Sequence, residues 1–362
     1  MRRLGAAHRN PVLLDQIVLT KPVSIAVVIP SYKVKDHILQ LIDKIGPEVT
    51  DIYVVDDCCP VHSGDYVEAH CRDSRVRVVR HTVNQGVGGA VMTGYAHAIE
   101  GGADVIVKLD GDGQMDPDLL PQFVLPIIEG WADYTKGNRF YDLTHIVRMP
   151  AVRLIGNAGL SFMTKISTGY WNIFDPTNGY TAISARVAAH LPFDKISRRY
   201  FFETDMLFRL NTLRAVVVDV PMDAFYGDEE SNLKVSRVLF EFSAKHAVNF
   251  FKRIFYNYFL RDMTAATFEL VLGALLLLFG LGFGAWHWGE SVARGVATPL
   301  GTIMLAALPV LIGLQLLLGF LNFDVASVPT RPMSRFMPAD PARARNVLRG
   351  SVEPSRSRDT TD

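Results

Sequence analysis

From Val23 to Val220, short apolar runs alternate with stretches of helical spacing. Ser24–Ile29 (SIAVVI) ends at Pro30, and Asp51–Val55 (DIYVV), Arg75–Val79 (RVRVV), Asp104–Leu109 (DVIVKL) and Ala215–Val220 (AVVVDV) repeat the theme. Helix-like segments such as Asp36–Ile45 and Gly89–Ile99 lie between them. Near-continuous Val/Ile runs separated by helices predict a parallel sheet covered on both faces. Ligands of such sheets bind beyond the carboxyl ends of the strands, so the residues following each run are where chemistry is to be sought.

The pattern changes after Lys234. Lys234–Arg261 interleaves Phe240, Phe242, Phe250, Phe251, Phe255, Tyr256, Tyr258 and Phe259 with Lys245, Lys252, Arg253 and other cations. Aromatic bodies beside basic heads suit the headgroup layer of a membrane, although a helix packed on the domain would show the same pattern. Thr264–Ala285 and Leu300–Leu321 are each about 22 residues of mainly Leu, Gly, Ala and Phe, long enough to cross a bilayer. The intervening loop, Trp286–Pro299, carries one cation, Arg294. Lys252, Arg253 and Arg261 precede the first span, and Arg331, Arg335, Arg343, Arg345 and Arg349 follow the second. The positive-inside rule then puts both flanks, and with them the catalytic domain and both termini, in the cytosol. Glu269, inside the first span, reads as a snorkelling or paired side chain. Beyond Pro332 the Arg-, Pro- and Ser-rich composition predicts disorder. The expected boundaries are an N-terminal extension 1–22, a catalytic domain 23–233, interfacial helices 234–263, a transmembrane hairpin 264–323 and a tail 324–362.

Composition adds little. Lys plus Arg and Asp plus Glu balance at 37 each, so nothing advertises a nucleic-acid partner. Cys58, Cys59 and Cys71 have neither zinc spacing nor a disulfide framework, as for thiols in a reducing compartment. Arg2 and Arg3 have no apolar segment behind them, so no cleavable signal peptide is expected.

The strongest chemical signal is Asp110-Gly111-Asp112-Gly113-Gln114-Met115-Asp116-Pro117 after the fourth run. Side chains at i and i+2 of an extended segment share a direction, so Asp110 and Asp112 can converge. Hard oxygen donors of this kind suit Mg²⁺ or Mn²⁺ shared with ligand phosphates, the metal acting as a Lewis acid on a departing diphosphate. An EF-hand calcium loop would need more alternating ligands and a terminal Glu; a plain acidic turn is the other reading. Pro30-Ser31-Tyr32 follow the first run, Asp56-Asp57 the second, and Asn84-Gln85-Gly86-Val87-Gly88-Gly89-Ala90 the third. A ring and a carboxylate can stack on and bond a nucleobase, and the glycines would let backbone approach a bound nucleotide.

In their order, Val27–Tyr32 (VVIPSY), Val54–Asp57 (VVDD), Asn84–Ala90, Asp110–Pro117, Gly137–Arg139 (GNR) and Asp175–Tyr180 (DPTNGY) resemble glycosyltransferase family 2, in the polyprenyl-phosphate branch similar to dolichol-phosphate mannose synthase. Tyr200–Asp205 (YFFETD) matches more loosely, and the resemblance spans roughly Val23 to Leu233. It implies a Rossmann-like GT-A fold, a nucleotide-diphosphate sugar donor, inversion at the anomeric carbon, and a polyprenyl (undecaprenyl) phosphate acceptor at a bacterial inner membrane. Carried over, Pro30, Tyr32, Asp57, Gly86 and Gly88 fall in the nucleotide pocket, Asp112 and Gln114 on the metal, and Asp110 beside the donor. Arg139 and Arg153 match arginines that grip the acceptor phosphate.

Departures mark a divergent subgroup. Lys33-Val34 replaces the usual Asn-Glu, and Cys58-Cys59-Pro60 replaces a serine-rich turn. The late Arg-x-x-Gly-x-Ser-Lys signature survives only as Tyr226–Lys234 without its arginine, leaving Lys234 as a substitute phosphate contact. Glu203 and Asp205 stand where sugar-polymerising relatives keep a base, yet a phosphomonoester with a second pKa near 6 is already ionised at neutral pH and needs none. UDP-glucose or UDP-N-acetylglucosamine is the first donor to consider, on family frequency. A transferase for a glycan or glycolipid acceptor, a processive synthase (whose Gln-x-x-Arg-Trp motif is absent) and a silent scaffold are the alternatives; homo-oligomerisation through the hairpin is open.

Overall fold

The computed structural model describes residues 22–141, 151–222 and 235–337, with the side chains of 151–155 and 235–240 outside that set. The N-terminal extension, Lys234 with the Tyr226–Lys234 motif, and the tail beyond Met337 therefore lie outside the described residues. Seven strands, β1 Ile25–Ser31, β2 Asp51–Asp56, β3 Val76–Arg80, β4 Val105–Lys108, β5 Tyr134–Asn138, β6 Thr181–Ser184 and β7 Val217–Pro221, form one sheet in the order β3-β2-β1-β4-β6-β5-β7. Around it lie α1 Ile38–Asp43, α2 Ser63–His70, α3 Val87–Glu100, α4 Leu120–Ile128, α5 Ala151–Thr168, α6 Ala185–Ala188 and α7 Phe202–Thr212. Strand β1 shows why its run is unbroken: Ala26 and Val28 join the core under α3, while Ile25, Val27 and Ile29 join the core against α1 and α4. A strand buried on both faces has no polar side to alternate with.

The expected all-parallel sheet is corrected at β6, which runs antiparallel to both β4 and β5. Neither β5 (YTKGN) nor β6 (TAIS) stands out as an apolar run, because polar residues break up each of these short strands. The loop Asp175–Tyr180 delivers the chain to β6 at the cleft end of the sheet, so β6 descends from it. The result is the mixed sheet of a GT-A-like fold.

Past the sheet come α8 Val235–Phe255, a π-helical turn Tyr256–Arg261, α9 Ala265–Arg294 and α10 Leu300–Ala326. At 30 and 27 residues, α9 and α10 are long and apolar enough to cross a membrane. They approach closely at small residues: a Cβ on Gly273 would stand 3.0 Å from the Gly313 carbonyl, and one on Gly280 2.7 Å from that of Ala306. Their outward Leu and Phe side chains are exposed, and Trp286 and Trp288 are exposed at the far end. Helix α8 has a packed face, where His246 meets Ser167 and Phe201, and an exposed apolar face at Val248, Phe251 and Phe255.

The hairpin is joined to the domain by a buried ion pair. The Arg253 guanidinium meets Asp324 near the end of α10 at 2.5 and 3.0 Å and donates to the Ile166 carbonyl. Asp324 also accepts from the Tyr258 hydroxyl (2.6 Å) and Trp171 Nε1 (2.9 Å). Arg253 was expected among the cations at the membrane surface; it is instead buried as the partner of Asp324, because a charge at this depth needs one. Beyond α10 the chain returns to the catalytic domain. The Asp133 carboxylate, just before β5, accepts the amides of Val216, Met333 and Ser334 at 2.7–2.8 Å, and Arg335 lies on the Glu129 carbonyl above Gly130. The expectation of disorder from Pro332 onward is thus corrected for 333–337.

Replacing Asp324 with Asn would leave Arg253 buried without its counter-charge, and a loss of about 3–5 kcal/mol is expected. Thermal unfolding in detergent is the measurement; the double variant R253L/D324L is expected to recover part of the loss.

Candidate active site

Strands β3, β2, β1 and β4 run parallel and end at one rim. Beyond it lies a cleft of 660 Å³ whose lining includes Pro30, Tyr32, Asp57, Gly86, Asp110 and Asp112, so six of the residues singled out from the sequence share one cavity. Tyr32 is 45% exposed at the cleft, with the Lys33 ammonium 5.6 Å from its ring centre. Arg199 and Tyr200 complete the wall from the loop ahead of α7, and the sequence reading had not singled out Arg199.

Asp57 is bonded from three sides. Its Oδ1 lies 2.7 Å from His81 Nδ1 and accepts the Gln85 amide at 2.7 Å, and its Oδ2 accepts the Gly86 amide at 2.7 Å. Burial alone would raise its pKa, but His81 and the two amides outweigh burial and hold it below the usual carboxylate range. The carboxylate thus fixes the glycine turn while its residue lines the cleft. Gly86 has φ +83°, and a Cβ there would stand 2.5 Å from the Arg198 carbonyl; at Gly88 the Ser197 carbonyl is equally close. The amides of Gly88 and Gly89 donate to the Arg198 carbonyl. These glycines permit a close approach to the protein's own 197–199 loop, while Gly86 also lines the cleft.

Behind the acidic loop, one register row crosses the sheet: Lys108 on β4 opposite Thr181 on β6, Thr181 opposite Lys136 on β5, and Lys136 opposite Asp219 on β7. Lys108 is fully buried. Its Nζ is 2.7 Å from Asp110 Oδ1 and 3.8 Å from Glu203 Oε1, and it donates to the Gly179 carbonyl. Burial pulls its pKa down, but Asp110 and Glu203 more than reverse that, so the ammonium stays charged. Lys136 donates to the Asn178 carbonyl and has no carboxylate within ion-pair distance among the described residues; burial brings its pKa to about 8. Burial raises Glu203 despite the pull of both lysines. Burial likewise pushes Asp219 up to about 6, although its Oδ2 accepts from the Phe174 amide and Asn138 Nδ2. Sequence reasoning missed Lys136 and Asp219; Asp219 was signalled by a charge inside the apolar run AVVVDV, and Lys136 by nothing in the short polar strand YTKGN.

The acidic loop presents hard donors. Asp112 Oδ1 accepts the Gln114 amide at 3.0 Å, curling the loop so that Asp112 and Asp110 both line the cleft. Among the described residues no three of His, Cys, Asp and Glu cluster as a closed metal cage. Two carboxylates at an open cleft, with the remaining positions left to ligand oxygens and water, nevertheless fit Mg²⁺ or Mn²⁺.

The other sequence candidates are placed differently. Asp205 is buried, accepting the Ser197 amide (2.8 Å) and Asn249 Nδ2 (3.1 Å), so it ties α7 to the loop and to α8. Arg139 forms a fork with buried Asp175 at 2.8 and 3.1 Å. Arg153 falls in the first turn of α5, its side chain outside the described residues.

This mixed sheet, with its acidic loop at the carboxyl rim of the parallel strands, defines a glycosyltransferase of the GT-A class. The chain belongs to Glycosyl transferase family 2, whose model matches residues 26–191. It is similar to the undecaprenyl-phosphate mannosyltransferase of Micrococcus luteus, at 31% identity over 54% of this chain and 81% of that one. It is also similar to the UDP-N-acetylglucosamine–dolichyl-phosphate N-acetylglucosaminyltransferase of Methanococcus voltae, at 33% identity over 42% of this chain and 60% of that one. Among solved structures, glucosyl-3-phosphoglycerate synthase of Mycobacterium tuberculosis superposes with a TM-score of 0.47 at 20% identity, covering 64% of this chain and 79% of that one.

Asp219 gives a pH test. Its folded pKa of about 6 exceeds the ordinary 3.8, so the folded state holds the proton longer than the unfolded chain. This contribution costs stability as pH rises from about 4 to about 6, and the full cost persists above. Asp219→Asn is expected to raise stability at pH 7.5, by at most about 3 kcal/mol at ~1.4 kcal/mol per pH unit, and to flatten that part of the denaturation profile.

Proposed function

We propose that the protein transfers a single sugar, with inversion, from a nucleotide-diphosphate sugar (a UDP-sugar first) to the phosphate of a polyprenyl lipid at the cytosolic face of a bacterial inner membrane. The observation that carries this reading is the meeting of Tyr32, Asp57, Asp110 and Asp112 in one cleft, on a chain ending in an apolar helical hairpin. The relatives' names point to polyprenyl-type phosphate acceptors, and they differ in the sugar, mannose for one and N-acetylglucosamine for the other.

In this mechanism Tyr32 stacks on the base and the backbone near Asp57 and Gly86 borders it. Asp112 and Gln114 would hold Mg²⁺ or Mn²⁺, which would supply charge neutralisation for a departing diphosphate. Asp110, pinned by Lys108, keeps one carboxylate edge toward the donor. The acceptor phosphate is mostly dianionic at neutral pH, so attack on the anomeric carbon needs no base. Glu203, its pKa raised and its carboxylate beside Lys108, orients the donor sugar; Asp205 acts by positioning α7 and not on substrate. Arg139, Arg153 and Lys234 bind the acceptor phosphate. For Arg139 the fork with Asp175 sets the plane of the guanidinium that meets the phosphate.

The test incubates purified protein with undecaprenyl phosphate, Mn²⁺ or Mg²⁺ and a panel of radiolabelled uridine and guanosine nucleotide sugars, then counts label in the organic phase. Label from one donor, lost with EDTA, is the expected result. Free nucleotide without labelled lipid would overturn the acceptor assignment. Asp112→Ala is expected to lower turnover by a factor on the order of a thousand or more without unfolding the protein, as removal of a key charge-stabilising group does. Arg139→Lys keeps the charge but not the fork, and is expected to raise the KM for lipid phosphate while leaving that for the donor nearly unchanged.

A further inference from the structure

A second cavity, of 320 Å³, lies where the catalytic domain meets the hairpin. Its walls come from the ends of α5 and α7, from the π-helical turn, and from the start of α9 and the end of α10. Arg214, Arg253 and Arg261 line it with Asn211 and Asn257, so cations outnumber the carboxylates, Asp262 and Asp324, three to two. Arg253 is neutralised by Asp324, and among the described residues its Nε has no hydrogen-bond partner although the residue is almost wholly buried. Arg261 donates one Nη to the Thr212 carbonyl and leaves the other without a partner. Among the described residues, the Arg214 and Arg261 side chains meet no carboxylate within ion-pair distance.

We propose that this pocket binds the phosphate headgroup of an anionic glycerophospholipid from the leaflet that the hairpin enters. The proposal rests on α9 and α10 crossing the membrane. On that reading the pocket, bounded by the first residues of one span and the last of the other, sits at headgroup depth, where a basic pocket between helices recognises anionic lipid. Exposed Met263 and Phe323 at its edge offer apolar contact to the upper acyl chains. The guanidinium groups supply charge-assisted bonds to phosphate oxygens.

The ligand is not the sugar acceptor. Glu203 stands in the first turn of α7 and Asn211 in its last, eight residues and about 12 Å along the helix axis. A phosphate held beside Asn211 is therefore out of bonding reach of a donor held at Asp110 and Asp112, since reacting atoms must approach to about 3–3.5 Å. The pocket instead fixes the platform: one lipid phosphate bridges the domain (Arg214) and the hairpin base (Arg261).

The test follows the unfolding midpoint of the detergent-purified full-length protein against dihexanoyl phosphatidylglycerol, dihexanoyl phosphatidylcholine, inorganic phosphate and undecaprenyl phosphate. A rise with phosphatidylglycerol that is much smaller with phosphatidylcholine and with inorganic phosphate is expected. Arg214 makes no side-chain hydrogen bond or ion pair within the described residues, so Arg214→Gln leaves the fold intact. This change, and separately Arg261→Gln, is expected to weaken the apparent affinity roughly tenfold, the loss of one charge-assisted contact. Arg214→Lys is expected to restore part of it. An equal rise with inorganic phosphate would make this a free-anion site and overturn the lipid assignment. A rise with undecaprenyl phosphate alone, or one unchanged in both Gln variants, would overturn the proposal. None of these readings depends on sugar transfer, so failure here and failure of the proposed reaction are separate results.

Discussion

An ammonium group sealed inside a sheet has to be answered by negative charge, and at Lys108 that requirement organises the catalytic end of the molecule. The lysine ends β4 fully buried, and it draws Asp110 from the acidic loop and Glu203 from the first turn of α7. Two segments far apart in sequence are thereby set against each other across one buried charge. Asp110 gains a fixed orientation from this, and α7 gains a reason to begin where it does. Gly179 has to be small for the same cause, since a side chain there would strike both Asp110 and Lys108.

The buried row continues through Thr181 to Lys136 and Asp219, and here balance is incomplete. Among the described residues Lys136 has only a carbonyl, and Asp219 keeps one oxygen without a partner. Both groups are shifted toward neutrality by burial. A sheet that carries such a row gives up stability where its function is concentrated, as enzymes commonly do.

What the sequence disclosed follows the same division. The strands β1, β2 and β4 were legible because burial on both faces writes an unbroken apolar run, and the acidic loop was legible because its carboxylates stand at the end of one. Strands β5 and β6 were hidden since Lys136, Gly137 and Thr181 interrupt their patterns, and a missed strand is also a missed antiparallel turn in the sheet. Among site residues, Tyr32, Asp110 and Asp112 lay where strand ends put them. The partners of Asp57 and Arg139 were not legible, because His81 and Asp175 are brought there by tertiary contacts that spacing does not encode. Arg253 misled for a related reason: a cation beside an apolar span looks the same in sequence whether it faces lipid or is paired inside.

The return of the chain onto Asp133 makes the hairpin a clamped part and not a tether. Arg253, ahead of the hairpin, locks onto Asp324 at the end of its second helix, and the chain beyond is locked where Met333 and Ser334 meet the strand-end carboxylate. A domain hung from one linker could dip toward its substrate; one bolted on both sides would, with the hairpin across a membrane, keep a constant height above the leaflet. On the proposed lipid-phosphate acceptor, the cleft would then act as a gauge, selecting among lipids by how far a head can be lifted out of the surface while its tail stays in it.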